Sequence, residues 1–173
     1  TQSAPIVFSS DDEGLDGSGE WGGLIMHGYA PHNECSEGGS YCDIDSEGES
    51  GFAGGYDPND SSGVLRYVVV AEGGYEFSTG NEINGISLVA VGSLTEIDYI
   101  QVHGNSDDGI EFYGGNVNVK HGVFTSNNDD SVDWHEGYQG NLQYIIVKQG
   151  ASKGEASERD TEGSSAGFLS KPT

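Results

Sequence analysis

Two short turns in this sequence carry the same concentration of oxygen donors. One reads Asn105-Ser106-Asp107-Asp108-Gly109; the other, 22 residues on, reads Asn127-Asn128-Asp129-Asp130-Ser131. Stacked at the ~4.8 Å spacing of neighbouring strands, the two Asp pairs repel. Each close pair costs ~1 kcal/mol in water and several-fold more where partly buried. A hard cation reverses that sign. Asp107, Asp108, Asp129 and Asp130, with the amide oxygens of Asn105 and Asn127 and the nearby carboxylate of Asp133, form a donor set without soft ligands. Such a set favours Ca²⁺ over Zn²⁺. Asn81, Glu82 and Asn84 are expected to extend the same column one coil earlier. The competing explanation is that turns simply use Asp, Asn and Gly.

Other candidates are weaker. The five histidines are scattered, with no His-Glu-x-x-His and no second cysteine pair, so a zinc site is not expected. Asp43-x-Asp45-x-Glu47-Gly48 opens like a calcium loop, but Gly54 stands where a bidentate Glu is needed, and the match is rejected. Asp57-Pro58-Asn59-Asp60 reads as a solvated turn, and Gly17-Ser18-Gly19-Glu20-Trp21-Gly22 as a chance dinucleotide pattern with no helix to follow it. Cys35 and Cys42 sit in a stretch rich in Gly, Ser and Glu and are expected to form a loop disulfide, which points to an oxidising, extracellular compartment.

The elements that must hold the turns are strands. No window repeats apolar residues at helical spacing, and glycine interrupts almost every stretch of ten. Four segments share one pattern: they begin at Leu65, Ile97, Val119 and Leu142, spaced 32, 22 and 23 residues apart. A second strand recurs within the same coils, beginning at Gly85, Gly109 and Ser131. Two strands per coil in fixed order predict an all-β parallel solenoid, with 22 to 23 residues per coil. Trp21 to Met26 is expected to be an earlier coil, and Pro5 to Phe8 an edge strand. The whole of 1–173 reads as a single solenoid domain, with 30–59 an acidic insertion carrying the cysteines and 151–166 a polar loop.

In this register the second strand position reads Arg66, Asp98, Lys120, Gln143, alternating in charge up the stack. The third reads Tyr67, Tyr99, His121, Tyr144, an aromatic column with one histidine.

Composition narrows the function. With six Lys and Arg against 29 Asp and Glu, the net charge of −23 repels nucleic acid and phosphate-rich ligands and attracts cations. Nine Tyr, six Phe and two Trp argue against a disordered acidic chain. No run approaches the ~20 apolar residues of a membrane span, so membrane insertion is not expected. Paired carboxylates could serve as acid and base on a polysaccharide. Against catalysis, Arg66 and Arg159 are the sole arginines and the charge repels polyuronates.

The run from Asn81-Glu82-Ile83-Asn84-Gly85 through Asp107-Asp108-Gly109-Ile110-Glu111-Phe112-Tyr113-Gly114-Gly115 to Gly137-Tyr138-Gln139-Gly140-Asn141 resembles a family of right-handed parallel β-helix proteins secreted by Gram-negative bacteria. The likeness extends through Trp21-Gly22-Gly23-Leu24-Ile25 and Asp60-Ser61-Ser62-Gly63-Val64-Leu65-Arg66-Tyr67-Val68, over roughly residues 20 to 150. It implies a solenoid and export as a surface or lipoprotein-like protein, and carries over no catalytic residue. Relatives continue with further coils beyond Thr173, so a short solenoid without polar caps is expected here. Exposed end strands are templates for a second copy. The expected protein is a non-catalytic, head-to-tail homopolymer at the bacterial cell surface, a fibre stabilised by Ca²⁺. A monomeric adhesin binding surface glycans and a polysaccharide-active β-helix enzyme are the alternatives.

Overall fold

The computed structural model describes residues 1–12, 14–35, 50–150 and 154–158. In chain order the strands are β1 (Ile6–Phe8), β2 (Leu24–His27), β3 (Val64–Ala71), β4 (Glu76–Ser78), β5 (Asn81–Glu82) and β6 (Ile86–Val89). They continue as β7 (Glu96–His103), β8 (Ile110–Tyr113), β9 (Asn118–Thr125), β10 (Val132–His135), β11 (Leu142–Gln143) and β12 (Ile146–Lys148). No helix occurs among the described residues.

These strands wind as a right-handed parallel β-helix. One long sheet runs β1-β3-β7-β9, with β11 and β12 both on the far edge of β9; a second runs β2-β6-β8-β10. The expected register holds residue for residue: Leu65 pairs with Ile97, Ile97 with Val119, and Val119 with Leu142. In the second sheet, Leu24 pairs with Ile86, Ile86 with Ile110, and Ile110 with Val132. The edge strand at Ile6–Phe8 and the early coil at Leu24–His27 are both present. β4 and β5 form a separate antiparallel hairpin, so Asn81 and Glu82 leave the turn column in which they were expected.

Alternation decides what is inside. The inward positions of the second sheet, Ile86, Leu88, Ile110, Phe112 and Val132, face Val68, Val70, Ile100, Val102, Val119 and Phe124 of the first in one core. Each fully buried aliphatic or aromatic side chain contributes about 1.5–3 kcal/mol. Packing is balanced between coils. A Cβ on Gly122 would stand 2.8 Å from the Phe124 ring, so that ring fills space which Val68 and Ile100 fill in the coils before.

Corners are made by residues in the left-handed conformation, in three stacked columns. Tyr67, Tyr99 and His121 have φ of 57°, 52° and 52° and bend β3, β7 and β9 at the fourth residue, and Tyr144, with φ of 62°, bends the chain between β11 and β12. Glu72, Gly104 and Ser126 turn the chain out of that sheet, and Ala90, Gly114 and Glu136 turn it out of the second. A non-glycine residue held there costs roughly 1–2 kcal/mol. The aromatic column offsets this by stacking: successive ring centroids lie 5.0, 4.3 and 4.8 Å apart, with planes within 16° of parallel.

Two segments outside the coils are used as cover. Residues 14–20 cross the second corner column as a strap: Gly19 and Glu20 donate to Gly73 O and Glu72 O, and Leu15 O meets His103 Nε2 at 3.1 Å. The described parts of the 30–59 insertion roof the outer face of the second sheet. Cys35 and Ala53 pack there on Val89, Ala90 and Tyr113. Cys42, like the rejected loop at Asp43, lies outside the described residues. Within the stretch expected as a polar loop, residues 154–158 instead start another rung: Ser131 N donates to Glu155 O, and Glu158 pairs in parallel with Asp133. Backbone pairing needs no apolar periodicity, which is why composition did not reveal it.

Candidate functional site

The turns are built by interior asparagines. Asn105 and Asn127 occupy equivalent positions in successive coils and are fully buried. Asn105 Nδ2 donates to Asp108 O at 2.9 Å and Ile83 O at 3.2 Å, while Asn127 Oδ1 accepts Asn105 N at 3.3 Å. Their side chains are turned into the stack and tie coil to coil, so both residues expected as metal ligands are found in a hydrogen-bonded ladder. Asn84 is also turned away: its Nδ2 donates to Glu111 Oε2 and, at 3.2 Å, to the Tyr113 hydroxyl.

Three of the expected carboxylates do converge. Asp107, Asp108 and Asp129 each offer an oxygen within 4.8 Å of the others. Burial pushes the Asp108 carboxyl up to about 10, and the negative charges of Glu111, Asp107 and Asp133 push the same way. The N–H of Asp130, donated to Asp108 Oδ1 at 2.8 Å, opposes this without overcoming it. A cation beside Asp107 and Asp129 would remove the penalty. Asp130 is engaged elsewhere, since its Oδ1 accepts Glu155 N at 2.7 Å. The same device thus repeats up the stack, each carboxylate capping an amide of the next rung.

Asp133 belongs to a second group that sequence reading missed. In a strand, alternate residues share a face, so Asp133 and His135 of β10 and Glu111 and Tyr113 of β8 stand together on the outside of the second sheet. Glu111, Asp133 and His135 each offer a donor atom within 4.8 Å of the others, and all three are less than one-tenth exposed. His135 Nε2 lies 2.9 Å from Glu111 Oε1, and its Nδ1 lies 3.9 Å from Glu136 Oε1. Burial alone would pull the imidazole down; the adjacent Glu111 carboxylate, with the charges of Glu136 and Asp133, instead pushes it up to about 9. Fully buried His32 closes the roof: its Nδ1 accepts Glu34 N at 3.0 Å, leaving Nε2 to meet the Glu136 carboxylate.

The charge ladder is rearranged. Arg66 contacts Glu96 at 3.1 Å and Asp98 at 3.7 Å, and Asp98 takes His121 Nδ1 at 2.7 Å. Histidine thus serves the column both by stacking and by pairing with the acid one rung below.

No helix among the described residues is long and apolar enough to cross a membrane. Neither a curated protein nor a solved structure matches the chain. A family match does, covering residues 1–173, under the description pectate-lyase like beta helix domain. With the parallel coils, their residue-for-residue register and the interior asparagine ladder in place, the chain belongs to the pectate-lyase-like β-helix domain family.

Proposed function

We propose that this chain is a non-catalytic structural protein, secreted to the bacterial cell surface, whose protomers add head to tail into a fibre with Ca²⁺ held by turn carboxylates. The observation that carries the reading is the match between the two edges of the first sheet. Ile6, Val7 and Phe8 on β1 are 57%, 50% and 37% exposed, and Ile146 on β12 is 62% exposed. Val7 and Ile146 lie on one column, since Val7 pairs with Val69, Val69 with Gln101, Gln101 with Val123, and Val123 with Ile146. A second copy translated along the axis sets β12 of one protomer beside β1 of the next, in parallel and in register. Such a heterologous contact need not close on itself.

The cation enters through Asp107, Asp108 and Asp129, whose mutual repulsion it relieves. A disulfide between Cys35 and Cys42 fits the same extracellular setting. The stacked rings of the aromatic column cover each other's faces, which leaves edges rather than platforms for a glycan and disfavours the adhesin alternative.

The test is negative-stain electron microscopy in millimolar Ca²⁺ and after chelation, with Val7→Lys and Ile146→Lys as variants. Filaments expected in Ca²⁺ should shorten or vanish after chelation and in either variant. Monodisperse particles of the parent chain in both conditions overturn the fibre.

A second reading is a polysaccharide-active enzyme, favoured by the family and by the acid and imidazole groups of Glu111, Asp133 and His135. The roof opposes it, because a polymer needs an open groove and these three side chains are less than one-tenth exposed. Release of reducing ends from acidic or neutral polysaccharides, abolished by Glu111→Gln, would establish it.

A further inference from the structure

The roofed cluster on the outer face of the second sheet has a job that the fibre reading does not use. His135 is 7% exposed, yet neither ring nitrogen makes a hydrogen bond of acceptable geometry. Glu111 Oε1 lies 2.9 Å from Nε2 but off the axis along which that nitrogen would donate. Two donors aimed at one ion produce this arrangement. Each stands about 2.0–2.2 Å from the metal, hence about 3 Å from the other, and neither points at its neighbour.

The surroundings are arranged atom by atom in the same sense. Glu111 Oε2 is taken by Asn84 Nδ2, and Asp133 Oδ1 accepts Trp134 N at 2.6 Å. His135 Nδ1 faces Glu136 Oε1 at 3.9 Å, and Glu136 is itself held by His32 from the roof. A carboxylate behind the far nitrogen of a ligating imidazole fixes the tautomer and raises its basicity. Metal-ligand histidines usually have such a partner; here the Glu136 carboxylate stands on that side at 3.9 Å, and closes to hydrogen-bond distance only if the imidazole shifts on binding the ion.

We propose that Glu111, Asp133 and His135 bind a divalent first-row transition metal such as Zn²⁺, with Glu136, His32 and Asn84 as orienting partners. One imidazole and two carboxylates suit such an ion better than Ca²⁺, which takes oxygens alone. The ion joins two adjacent coils, and Glu136 and His32 connect it to the roof, so its role is to lock the insertion onto the sheet. No local sequence motif announces it, because the ligands come from two coils 22 residues apart.

The test uses the full chain, stripped with a chelator and reloaded with Zn²⁺ in excess Ca²⁺. One zinc per chain is expected to survive dialysis, with an X-ray absorption spectrum showing nitrogen and oxygen neighbours, a single imidazole and no sulfur. His135→Gln should lose that equivalent, and Glu136→Gln should weaken binding about 10- to 100-fold. His121→Gln in the aromatic column, and Asp107→Asn with Asp129→Asn in the turn, should keep it. Zinc retained equally by His135→Gln, a sulfur or multi-imidazole spectrum, or no zinc retained by the folded parent chain each overturns the assignment. The spectrum of the parent chain decides the matter even if His135→Gln fails to fold.

Discussion

Asp108 Oδ1 accepts the backbone N–H of Asp130 from the next coil, 2.8 Å away and 22 residues later. One carboxylate therefore does two things that conflict: it caps an amide, and it sits buried among Glu111, Asp107 and Asp133. Asn keeps the acceptor and drops the charge. In chelator at neutral pH, Asp108→Asn is expected to raise stability by about 1 kcal/mol or more, since a carboxyl pushed up to about 10 must take up a proton to fold and Asn need not. It should also blunt the rise in urea midpoint that Ca²⁺ gives the parent. An unchanged response to Ca²⁺ would remove Asp108 from the cation site.

The register behind that contact was legible because two strands repeat per coil, and a slip of one residue would turn every inward side chain to solvent. The period alone placed Ile97 between Leu65 and Val119, and Ile110 between Ile86 and Val132. The hairpin at Asn81 and Glu82 was not legible, since its pairing is local and interrupts the period. Nor was the inward turn of Asn105 and Asn127, because an amide side chain serves a metal or a backbone equally well on paper. Glu111 and His135 were within reach. Asp133 and His135 alternate on one strand face, and the aligned coils set Glu111 beside Asp133, but a search for local spacing motifs passes over ligands joined by coil register.

Asn105 is expected to matter for folding and not for cation affinity. Truncation to Ala takes from Ile83 O the amide that reaches it and leaves Asp108 O with the N–H of Gly85 alone. Stranding a buried group such as Ile83 O costs about 1–3 kcal/mol. Urea unfolding of Asn105→Ala should show that loss, while Ca²⁺ titration of the folded variant should match the parent. A selective loss of Ca²⁺ binding would restore Asn105 as a ligand.

The aromatic column reverses an ordinary preference. Tyr99 stacks on Tyr67 at 5.0 Å and on His121 at 4.3 Å, with φ of 52°. Losing both stacks should cost Tyr99→Ala about 1–3 kcal/mol. Tyr99→Gly loses the same stacks but relieves the left-handed backbone, so it is expected to be about 1 kcal/mol more stable than the Ala variant. In a regular strand Gly is the worse residue. Thermal unfolding with Ala above Gly would mean that the corner carries no strain.

The strap over the second corner column should loosen in acid. Glu72 accepts Ser9 Oγ and, at 3.1 Å, Gly17 N, and these hydrogen bonds hold its carboxyl below the usual value despite the opposing effect of burial. A carboxyl with a depressed folded pKa contributes stability that is present above its unfolded value near 4.5 and is lost as pH falls through the folded one. Hydrogen exchange at Gly17, corrected for its intrinsic pH dependence, should therefore lose protection as pH falls below 4.5 while the core amides of β7 and β8 stay protected. Glu72→Gln, which keeps an acceptor but cannot titrate, should flatten that profile. If Gly17 and the core amides lose protection together, acid acts on the whole solenoid, and the strap is not the element that Glu72 controls.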